Sequence, residues 1–354
     1  MRATKISLLL VTTTAVMLLG IVPARADVIH VRPGESIQAA VDAASPGDTI
    51  LVSRATYAES VLITKNNITI IGSGASDDGS VLVPAAVPDG VCSTPDESNG
   101  FCLFGDFGSF TPVTGTTIKG FKVAGFSGFG IFGVLSNDHT ITGNLAEDNT
   151  IYGIACFVCS GGTYVGNTAT GSEEAGFYQG DSPDVNSTMI GNTATDNGFG
   201  FFFRDAAGGT ASNNFARDNC IGFMMLDTGA PDVMGDWDMH HNNLFHNDKA
   251  CPASEEGPPV SGVGLAMFGG VGNNVHNNSI WRNRAGGETV IQAGIFVGSG
   301  TLFGGLDPTG NSFDSNFVYG NGGIDIKYTG AGSGNTFTNN DCFRSIPRQI
   351  CAPA

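Results

Sequence analysis

Histidine, acidic and aromatic residues suited to acid–base chemistry on a sugar are concentrated between residues 238 and 319. A neutral imidazole can act as a general base, and an arginine can offset the charge of a carboxylate. Aromatic rings offer broad apolar surfaces. The residues of these types are Asp238, His241, His246, His276, Trp281, Arg282, Asp314 and Tyr319. They are far apart along the chain, so they form a site only if the fold brings them together.

A repeat anchored on asparagine predicts such a fold. Segments such as "TITGNLAEDN", "TMIGNTATDN" and "SFDSNFVYGN" align on one asparagine, and apolar and polar residues alternate around it. The anchors are Asn144, Asn167, Asn192, Asn214, Asn243, Asn278, Asn316 and Asn340. Alternation with a period of two is typical of β-strands. Two or three short strands per repeat predict an all-β fold, a single-stranded parallel β-helix, with its repeat coils over residues 115–345.

Equivalent residues of successive coils should lie about 4.8 Å apart, directly above one another. The anchor asparagines can then form a hydrogen-bonded ladder that satisfies backbone groups of the turns. We therefore assign the asparagines to the scaffold. Residues 27–75 predict an N-terminal strand and a short helix that begins near Ser36, and this helix would cap the open end of the solenoid. Its apolar stripe consists of Ile37, Ala40, Val41 and Ala44.

The segments "ESIQAAVDAASPGDTILV" and "NNITIIGSG" resemble the start of right-handed parallel β-helix proteins of the pectin-lyase-like superfamily. The resemblance covers nearly all of residues 27–345 and implies a right-handed helix. It implies no single activity, since such families include polysaccharide lyases, glycoside hydrolases, uronate epimerases and proteins without chemistry. The motifs of polygalacturonase-type enzymes are absent, and "DPTG" at 307–310 is not the Asp-Pro-His motif of alginate-epimerase-like proteins.

In stacked coils, the outward positions beside the last anchors should form one candidate site. Two positions before the anchor lie His241, His276 and Asp314, and three positions after it lie His246, Trp281 and Tyr319. Insertions at about 228–236, 248–263 and 284–310 would wall this face into a groove.

We interpret His241 or His276 as the base, Asp314 as part of the same catalytic group, and Arg282 as the charge neutraliser. Trp281 and Tyr319 would be sugar platforms, with His246 and Asp238 beside them. There are two alternatives. His241, His276 and Asp314 could share a metal ion, or these side chains could have no function and simply occupy outward strand positions.

Each repeat also contains a glycine followed by an apolar pair, as in "GFYQ", "GFFF" and "GFMM". A second candidate site is an acidic column five residues after this glycine. Asp181, Asp205 and Asp227 fall there on successive coils, with Arg204 adjacent. Such carboxylates could serve retaining hydrolysis, hold Ca²⁺, or cap turns. Ca²⁺ is the one cofactor that the composition suggests, and none is required. Glu255 and Glu256 are interpreted as part of a solvated loop.

The eight cysteines fall in close couples, which predicts disulfides in an exported protein. The expected pairs are Cys92–Cys102, Cys156–Cys159, Cys220–Cys251 and Cys342–Cys351. The Cys156–Cys159 couple could instead be a redox-active CxxC pair.

The first 26 residues have a basic start, an apolar run and a small-residue cleavage site after Ala26, as in a secretory signal peptide. A membrane anchor is the alternative. Removal of this segment takes away three basic residues and lowers the net charge from −17 to −20. Such a charge excludes binding to nucleic acid through its phosphates. We expect residues 27–354 to form one secreted, monomeric β-helix domain without a membrane span.

These features predict a secreted protein that binds or processes extracellular, acidic polysaccharide. If the protein is an enzyme, lyase or epimerase chemistry is favoured over hydrolysis. The alternative is a non-enzymatic β-helix that serves as a binding surface or a cell-envelope accessory. Accessory proteins for copper-dependent nitrous oxide reductase have similar repeats.

Overall fold

In a computed structural model, described for residues 26–87, 92, 97–229, 233–254 and 257–351, the chain winds into a parallel β-helix. Each coil contributes one short strand to each of three sheets, which we call A, B and C in the order in which a coil enters them. Residues 1–25 of the expected signal peptide, and Glu255 and Glu256, lie outside the described residues.

The strands of sheet A are Val28–Val31, Thr49–Val52, Thr69–Ile71, Thr117–Lys119, Thr140–Thr142, Thr163–Val165, Ser187–Ile190, the second half of Phe199–Ser212, Gly235–His240, Asn274–His276, Ser312–Asp314 and Thr336–Thr338. Those of sheet B are Ala55–Ala58, Ser80–Val83, Phe121–Ala124, Leu145–Glu147, Thr168–Thr170, Thr193–Thr195, Phe215–Arg217, Asn243–Phe245, Ser279–Trp281, Phe317–Tyr319 and Asp341–Cys342. Those of sheet C are Val61–Ile63, Phe101–Phe104, Phe129–Val134, Tyr152–Phe157, Ala175–Ser182, the first half of Phe199–Ser212, Ile221–Leu226, Val263–Phe268, Ala293–Gly298, Ile324–Tyr328 and Ser345–Ile346. Val113–Thr114 and Ser136–Asn137 form a separate pair of strands.

The interior is filled by columns of apolar side chains, one from each sheet. Each column repeats at the same place in every coil because the strands pair in parallel and in register. In the middle coils sheet A contributes Ile141, Tyr164, Met189 and Ala211; sheet B contributes Ala146, Ala169, Ala194 and Ala216; and sheet C contributes Ile154, Phe177, Phe201 and Phe223. Small residues in sheet B face large ones in sheet C, and the pairing of small with large side chains fills a narrow cross-section.

A short helix, Ile37–Ala43, covers the N-terminal end of the solenoid as the sequence predicted. It buries Ile37, Ala40 and Val41 against the first coil. Ser36 caps the helix, since its Oγ accepts a hydrogen bond from the Ala39 N–H at 3.1 Å. The cap is held in turn by the Glu59 carboxylate, which accepts from Ser36 Oγ at 2.7 Å and from the Ile37 N–H at 2.7 Å.

Loss of this cap should destabilise the protein modestly. We expect Ser36→Ala to lower the free energy of unfolding by about 1 kcal/mol, because the Ala39 N–H loses its acceptor and the Glu59 carboxylate loses one donor. Ser36→Thr keeps the hydroxyl and should restore most of the loss. Urea titrations followed by circular dichroism would measure both. A Ser36→Ala variant as stable as the parent would show that the cap contributes nothing.

Four disulfides join the cysteine couples predicted from the sequence: Cys92–Cys102, Cys156–Cys159, Cys220–Cys251 and Cys342–Cys351. Each links residues close in sequence, so they fasten loops and the chain end rather than distant coils. Among the helices within the described ranges, none is long and apolar enough to cross a membrane.

Candidate functional site

The asparagine ladder of the turns between sheets A and B fixes the register of every outward column. Side-chain amides bond from coil to coil through Asn144, Asn167, Asn192, Asn214, Asn242, Asn278, Asn316 and Asn340. The ladder was predicted correctly except in one coil, where Asn242 and not Asn243 is the anchor. A shift of one residue moves every side chain of a strand to the opposite face. His240 and Phe245 therefore take the column positions that the sequence alignment gave to His241 and His246.

Three histidines and one aspartate lie together on the outer side of sheet A. His240 and His276 stack on adjacent coils, with ring centroids 5.2 Å apart. Asp238 Oδ1 lies 2.9 Å from His276 Nε2, and its Oδ2 lies 4.0 Å from His240 Nε2. On the other side of the ring, His240 Nδ1 lies 2.8 Å from His241 Nδ1. The structure thus brings His241, His276 and Asp238 together and adds His240, which the sequence analysis missed.

Burial lowers the pKa of His240, and the neighbouring His276 and His241 act in the same direction, while Asp238 opposes them. The ring is therefore neutral near pH 7, with one ring nitrogen as a donor and the other as an acceptor.

Asp314 continues the column of His240 and His276 on the next coil. Its carboxylate accepts hydrogen bonds from Thr338, Ser315 and Asn339, and these bonds hold its pKa below the usual value. An ionised carboxylate that accepts three hydrogen bonds is a weak base. Asp314 and its three partners form a hydrogen-bonded network on the surface, near the C-terminal end of the solenoid.

The predicted sugar platforms lie around the corner, on sheet B. Trp281 is aligned with Tyr319 on the next coil and stacks on Phe245 of the previous coil, with centroids 5.0 Å apart and an interplanar angle of 8°. The Arg282 guanidinium carbon lies 5.2 Å from the Trp281 ring centre. Much of the flat surface of Trp281 is therefore covered by its neighbours. Arg282 and His246 lie in the turns after sheet B, each directly before an asparagine that bonds from coil to coil, with φ values of 57° and 52°.

The long insertions flank sheet C, and the expectation that they wall the histidine face was wrong. Segments 227–234 and 299–311 connect sheet C to sheet A, and segments 246–262 and 282–292 connect sheet B to sheet C. Val260 and Ile291 pack onto the outer cluster of sheet C, and the Phe303 ring lies 5.2 Å from Phe268. Sheets A and B are joined instead by the tight asparagine turns, which leave no room for a wall.

Sheet C is apolar on its outer face as well as its inner face. Outward aromatic and aliphatic side chains pack from coil to coil into a second cluster, with the Tyr152 and Tyr178 rings stacked 4.5 Å apart. Part of the face is open, because Phe132, Phe157, Leu226 and Phe268 are only partly buried. The charged side chains on this face within the described strands are Arg204 and Lys327, with Asp181 half-buried at the end of its strand.

Arg204 is the polar centre of this face. Its side chain is 43 % exposed and lies between Gly180 and Leu226 of the neighbouring coils. Its Nε lies 3.4 Å from Asp205 Oδ2, is buried and makes no hydrogen bond. A Cβ at residue 180 would collide with the Tyr178 hydroxyl, so glycine there gives this hydroxyl its place beside the arginine.

The acidic column stacks in register at the end of sheet C, but its members differ in role. Asp205 is fully buried and accepts from the Thr228 N–H and hydroxyl, while Asp227 accepts from the N–H groups of Gly229 and Leu306. Both therefore bind turn backbone. Asp181 is half-buried, and burial raises its pKa while Arg204 opposes the rise.

Tyr178 is buried beside Asp181 and Arg204, and burial raises its pKa, so the phenol remains protonated. Tyr152 donates a hydrogen bond to Glu174 from the next coil. Arg204, Asp181 and Tyr178 thus form a mixed acid–base group on an apolar surface.

No group of three or more His, Cys, Asp or Glu side chains is placed to hold a metal ion in the part of the chain that the structure describes. The metal shared by His241, His276 and Asp314 is therefore not supported. His241 lies in the turn, and the Asp314 carboxylate is held by its own neighbours.

Comparisons with known proteins add a family and a fold. A family model described as "Periplasmic copper-binding protein (NosD)" matches residues 41–285. No curated protein matches the chain.

Solved structures with the same architecture include the A-modules of two mannuronan C-5 epimerases from Azotobacter vinelandii. One has a TM-score of 0.65 at 16 % identity, covering 86 % of this chain and 88 % of that one, and the other has 0.61 at 16 %, covering 86 % and 90 %. A DFA-IIIase from Arthrobacter chlorophenolicus A6 has 0.59 at 13 %, covering 85 % and 79 %. At these identities the likeness establishes the fold alone, and it confirms the predicted right-handed parallel β-helix of the pectin-lyase-like type. The family match spans more than half of the sequence, and the chain belongs to the NosD family of β-helix proteins.

Proposed function

We propose that this protein binds an acidic polysaccharide along the outer face of sheet C, with Arg204 as the partner of a sugar carboxylate. The observation that carries the proposal is the half-exposed Arg204 on an apolar face flanked by all the long insertions. Apolar side chains suit the C–H surfaces of sugar rings, and arginine binds carboxylates through two parallel hydrogen bonds. The fold shared with polysaccharide-modifying enzymes is compatible with this role.

The same residues support a chemical role of the lyase or epimerase class. In this version Arg204 offsets the charge of the uronate, and the Asp181 carboxylate takes the proton from the carbon next to the sugar carboxyl group. Its raised pKa makes it a better base near neutral pH. For a lyase, the C–O bond to the leaving sugar breaks as a C=C bond forms, and the Tyr178 hydroxyl gives its proton to the departing oxygen. In the non-enzymatic version the polymer binds and is released unchanged.

The test is a binding titration of a panel of polyuronates and neutral polysaccharides. Arg204→Gln should weaken polyuronate binding at least tenfold, because the carboxylate loses a charged, bidentate partner. Arg217→Gln is the matched control, since Arg217 is similarly exposed but lies on sheet B and pairs with Asp218. Its binding should stay within twofold of the parent. Equal binding by Arg204→Gln and the parent would refute the proposal.

Product analysis separates the two versions. Lyase activity would create unsaturated sugars that absorb in the ultraviolet, and epimerase activity would change the sugar composition seen by nuclear magnetic resonance. Binding without either change would select the accessory role.

The face formed by sheets A and B is the alternative location for the polysaccharide. His241 or His276 as base, and Trp281 and Tyr319 as platforms, stay predictions for that face. Two variants in the same titration, His276→Ala and Trp281→Ala, examine it. Loss of polymer binding in these variants, with Arg204→Gln unaffected, would move the site there.

We also propose that the protein works outside the cytoplasm. Four disulfides are typical of proteins in an oxidising compartment, and the family description names the periplasm. That description also names copper, and one group of residues offers suitable donors. All eight cysteines are in disulfides, which leaves imidazole as the available strong ligand. The Nδ1 atoms of His240 and His241 already lie close together.

A further inference from the structure

We infer that the Cys156–Cys159 disulfide is a thiol–disulfide exchange site, at which a dithiol from outside the protein is oxidised. The sequence left open whether this couple is structural or redox-active, and the polysaccharide proposal makes no use of it. Three observations carry the inference. They are a surface pocket at one sulfur, a buried polar pair at the other, and the small ring that the bond closes.

A surface pocket of about 240 Å³ gives access to Cys159. Cys159 is part of the pocket wall, together with Phe110, Leu135 and Val158. Cys156 lies deeper, on the inner side of the sheet C strand, and is 1 % exposed. A thiol in the pocket therefore meets Cys159 first. The volume is sufficient for a small molecule or a side chain, since a cavity of about 150 Å³ already holds a benzene ring.

Two apolar residues of the pocket wall have a backbone conformation that disfavours them. Leu135 and Val158 are left-handed, with φ values of 51° and 53°. In the next two coils the same turn position is occupied by Asp181 and Asp205. Aspartate adopts this conformation more readily than a bulky or β-branched residue does, and such backbone costs concentrate at functional positions. The apolar wall of the pocket is therefore maintained against a conformational cost, as expected of a binding site.

Behind the disulfide, Cys156 contacts a buried polar pair. Its Sγ lies 3.9 Å from His139 Nε2, which lies 2.7 Å from the Tyr164 hydroxyl. Burial lowers the pKa of His139 to about 4, so the ring is neutral near pH 7. When the Ser136 hydroxyl donates to His139 Nδ1, 3.1 Å away, the ring proton is on Nε2. A Cys156 thiolate can then accept a hydrogen bond from that nitrogen.

The bond also closes the smallest ring of the four disulfides. Its cysteines are 3 residues apart in sequence, against 9, 10 and 31 for the other couples. A smaller ring constrains the unfolded chain less, so this bond contributes least to stability by that route. Its reduction should therefore leave the coils in place, which a site that alternates between two redox states requires.

The exchange takes place in two steps. A thiolate of the dithiol attacks Cys159 Sγ and forms a mixed disulfide, while the electron pair of the broken S–S bond passes to Cys156, which leaves as a thiolate. The second thiol of the reductant gives its proton to Cys156 through water and attacks the reductant's own sulfur in the mixed disulfide. Cys159 leaves with that electron pair and takes up the proton lost by the first thiol. Two electrons and two protons have then moved from the dithiol to the two cysteines.

The experiment treats the intact, folded protein with limiting dithiothreitol, labels new thiols with iodoacetamide and locates the label by tandem mass spectrometry. We expect Cys156–Cys159 to be reduced at least tenfold faster than Cys342–Cys351. That couple is the internal control, because Cys351 is partly exposed and exposure alone would favour its reduction. Glutathione is a monothiol and has no second thiol on the same molecule for the second step, so it should form its adduct on Cys159.

Two variants identify the reactive sulfur. Cys156→Ala leaves a free thiol at Cys159 beside the pocket, and Cys159→Ala leaves one at Cys156 in the interior. Because both variants lose the same disulfide, they are matched. Iodoacetamide should label Cys156→Ala at least tenfold faster than Cys159→Ala. In the disulfide-bonded protein, Ser160→Trp fills the pocket and should slow reduction of Cys156–Cys159 at least tenfold.

Reduction of all four disulfides at one rate, or of Cys342–Cys351 first, would overturn the assignment. Equal labelling of the two cysteine variants, or an unchanged rate in Ser160→Trp, would also overturn it. Circular dichroism during reduction separates exchange in the folded protein from reduction that follows unfolding. Polyuronate binding by Cys156→Ala should match that of the parent, which keeps this test separate from that of the proposed function.

Discussion

Asn242→Ala should destabilise the protein by about 4 kcal/mol or more, whereas Asn243→Ala should change its stability by less than about 1 kcal/mol. The Asn242 side chain accepts from the Asn214 N–H and side-chain amide, both at 3.0 Å, and donates to the Ala211 carbonyl at 2.8 Å and to Asn278 Oδ1 at 3.0 Å. Alanine removes all four hydrogen bonds, and each contributes about 1 kcal/mol, with more lost where a buried group has no other partner. The Asn214 side-chain amide keeps its bond to the Met189 carbonyl, and Asn278 Oδ1 keeps its bond from the backbone N–H of residue 242. Asn243 is only partly buried and lies on the outer side of sheet B.

Guanidinium titrations of the two variants, followed by circular dichroism and tryptophan fluorescence, would measure this difference. The pair is well matched, because the two residues have the same chemistry and are adjacent in sequence. Similar losses in both variants, or a greater loss in Asn243→Ala, would mean that the ladder passes through the other residue and that the outward columns described for this coil are wrong.

The protein should lose about 3 kcal/mol of stability between pH 7.5 and pH 4 through one histidine. His139 is buried, its Nε2 lies 2.7 Å from the Tyr164 hydroxyl, and burial lowers its pKa from 6.5 to about 4. Above pH 6.5 both the folded and the unfolded chain hold this ring neutral. Between pH 6.5 and about 4 the unfolded chain takes up a proton that the folded chain refuses, so stability falls as pH falls. The gap between the two pKa values corresponds to about 3 kcal/mol.

His139→Gln keeps a polar side chain without the titration, so its stability should depend less steeply on pH across this range. Unfolding midpoints of parent and variant at several pH values between 4 and 7.5 would test this, and the difference between the two slopes is the quantity to compare. Parallel slopes would show that His139 is protonated in the folded protein or is not buried.

The fold could be read from the sequence because each coil repeats the same physical requirements. Alternating apolar positions such as Ile141 and Ala146 define the inward columns, and Asn144 marks the turn between them. In "HHNN" the anchor was predicted one residue too late, because Asn242 and Asn243 are adjacent and either could be the anchor. The apolar columns would have resolved it, since an anchor at Asn242 puts Met239 and Leu244 inside, and both are buried.

The candidate site was harder to predict, because loop lengths do not say which face a loop flanks. Placing each insertion between its strands shows that all of them border sheet C, as Val260 and Phe303 do. The sequence carried one further signal. Apolar pairs such as Phe202–Phe203 and Met224–Met225 put an apolar residue on both faces of a sheet C strand. Arg204 interrupts that pattern, and its open position became visible only with the neighbouring coils in place.

The most direct test of the central claim compares a polyuronate with the same polymer after its carboxyl groups have been reduced to alcohols. The chain length and ring surfaces stay alike, so any difference in affinity measures the contribution of the carboxylates. For the polyuronate that binds best, we expect parent protein to bind the reduced form at least tenfold more weakly, and Arg204→Gln to bind both forms alike. Equal affinity of the parent protein for the two polymers would contradict the account.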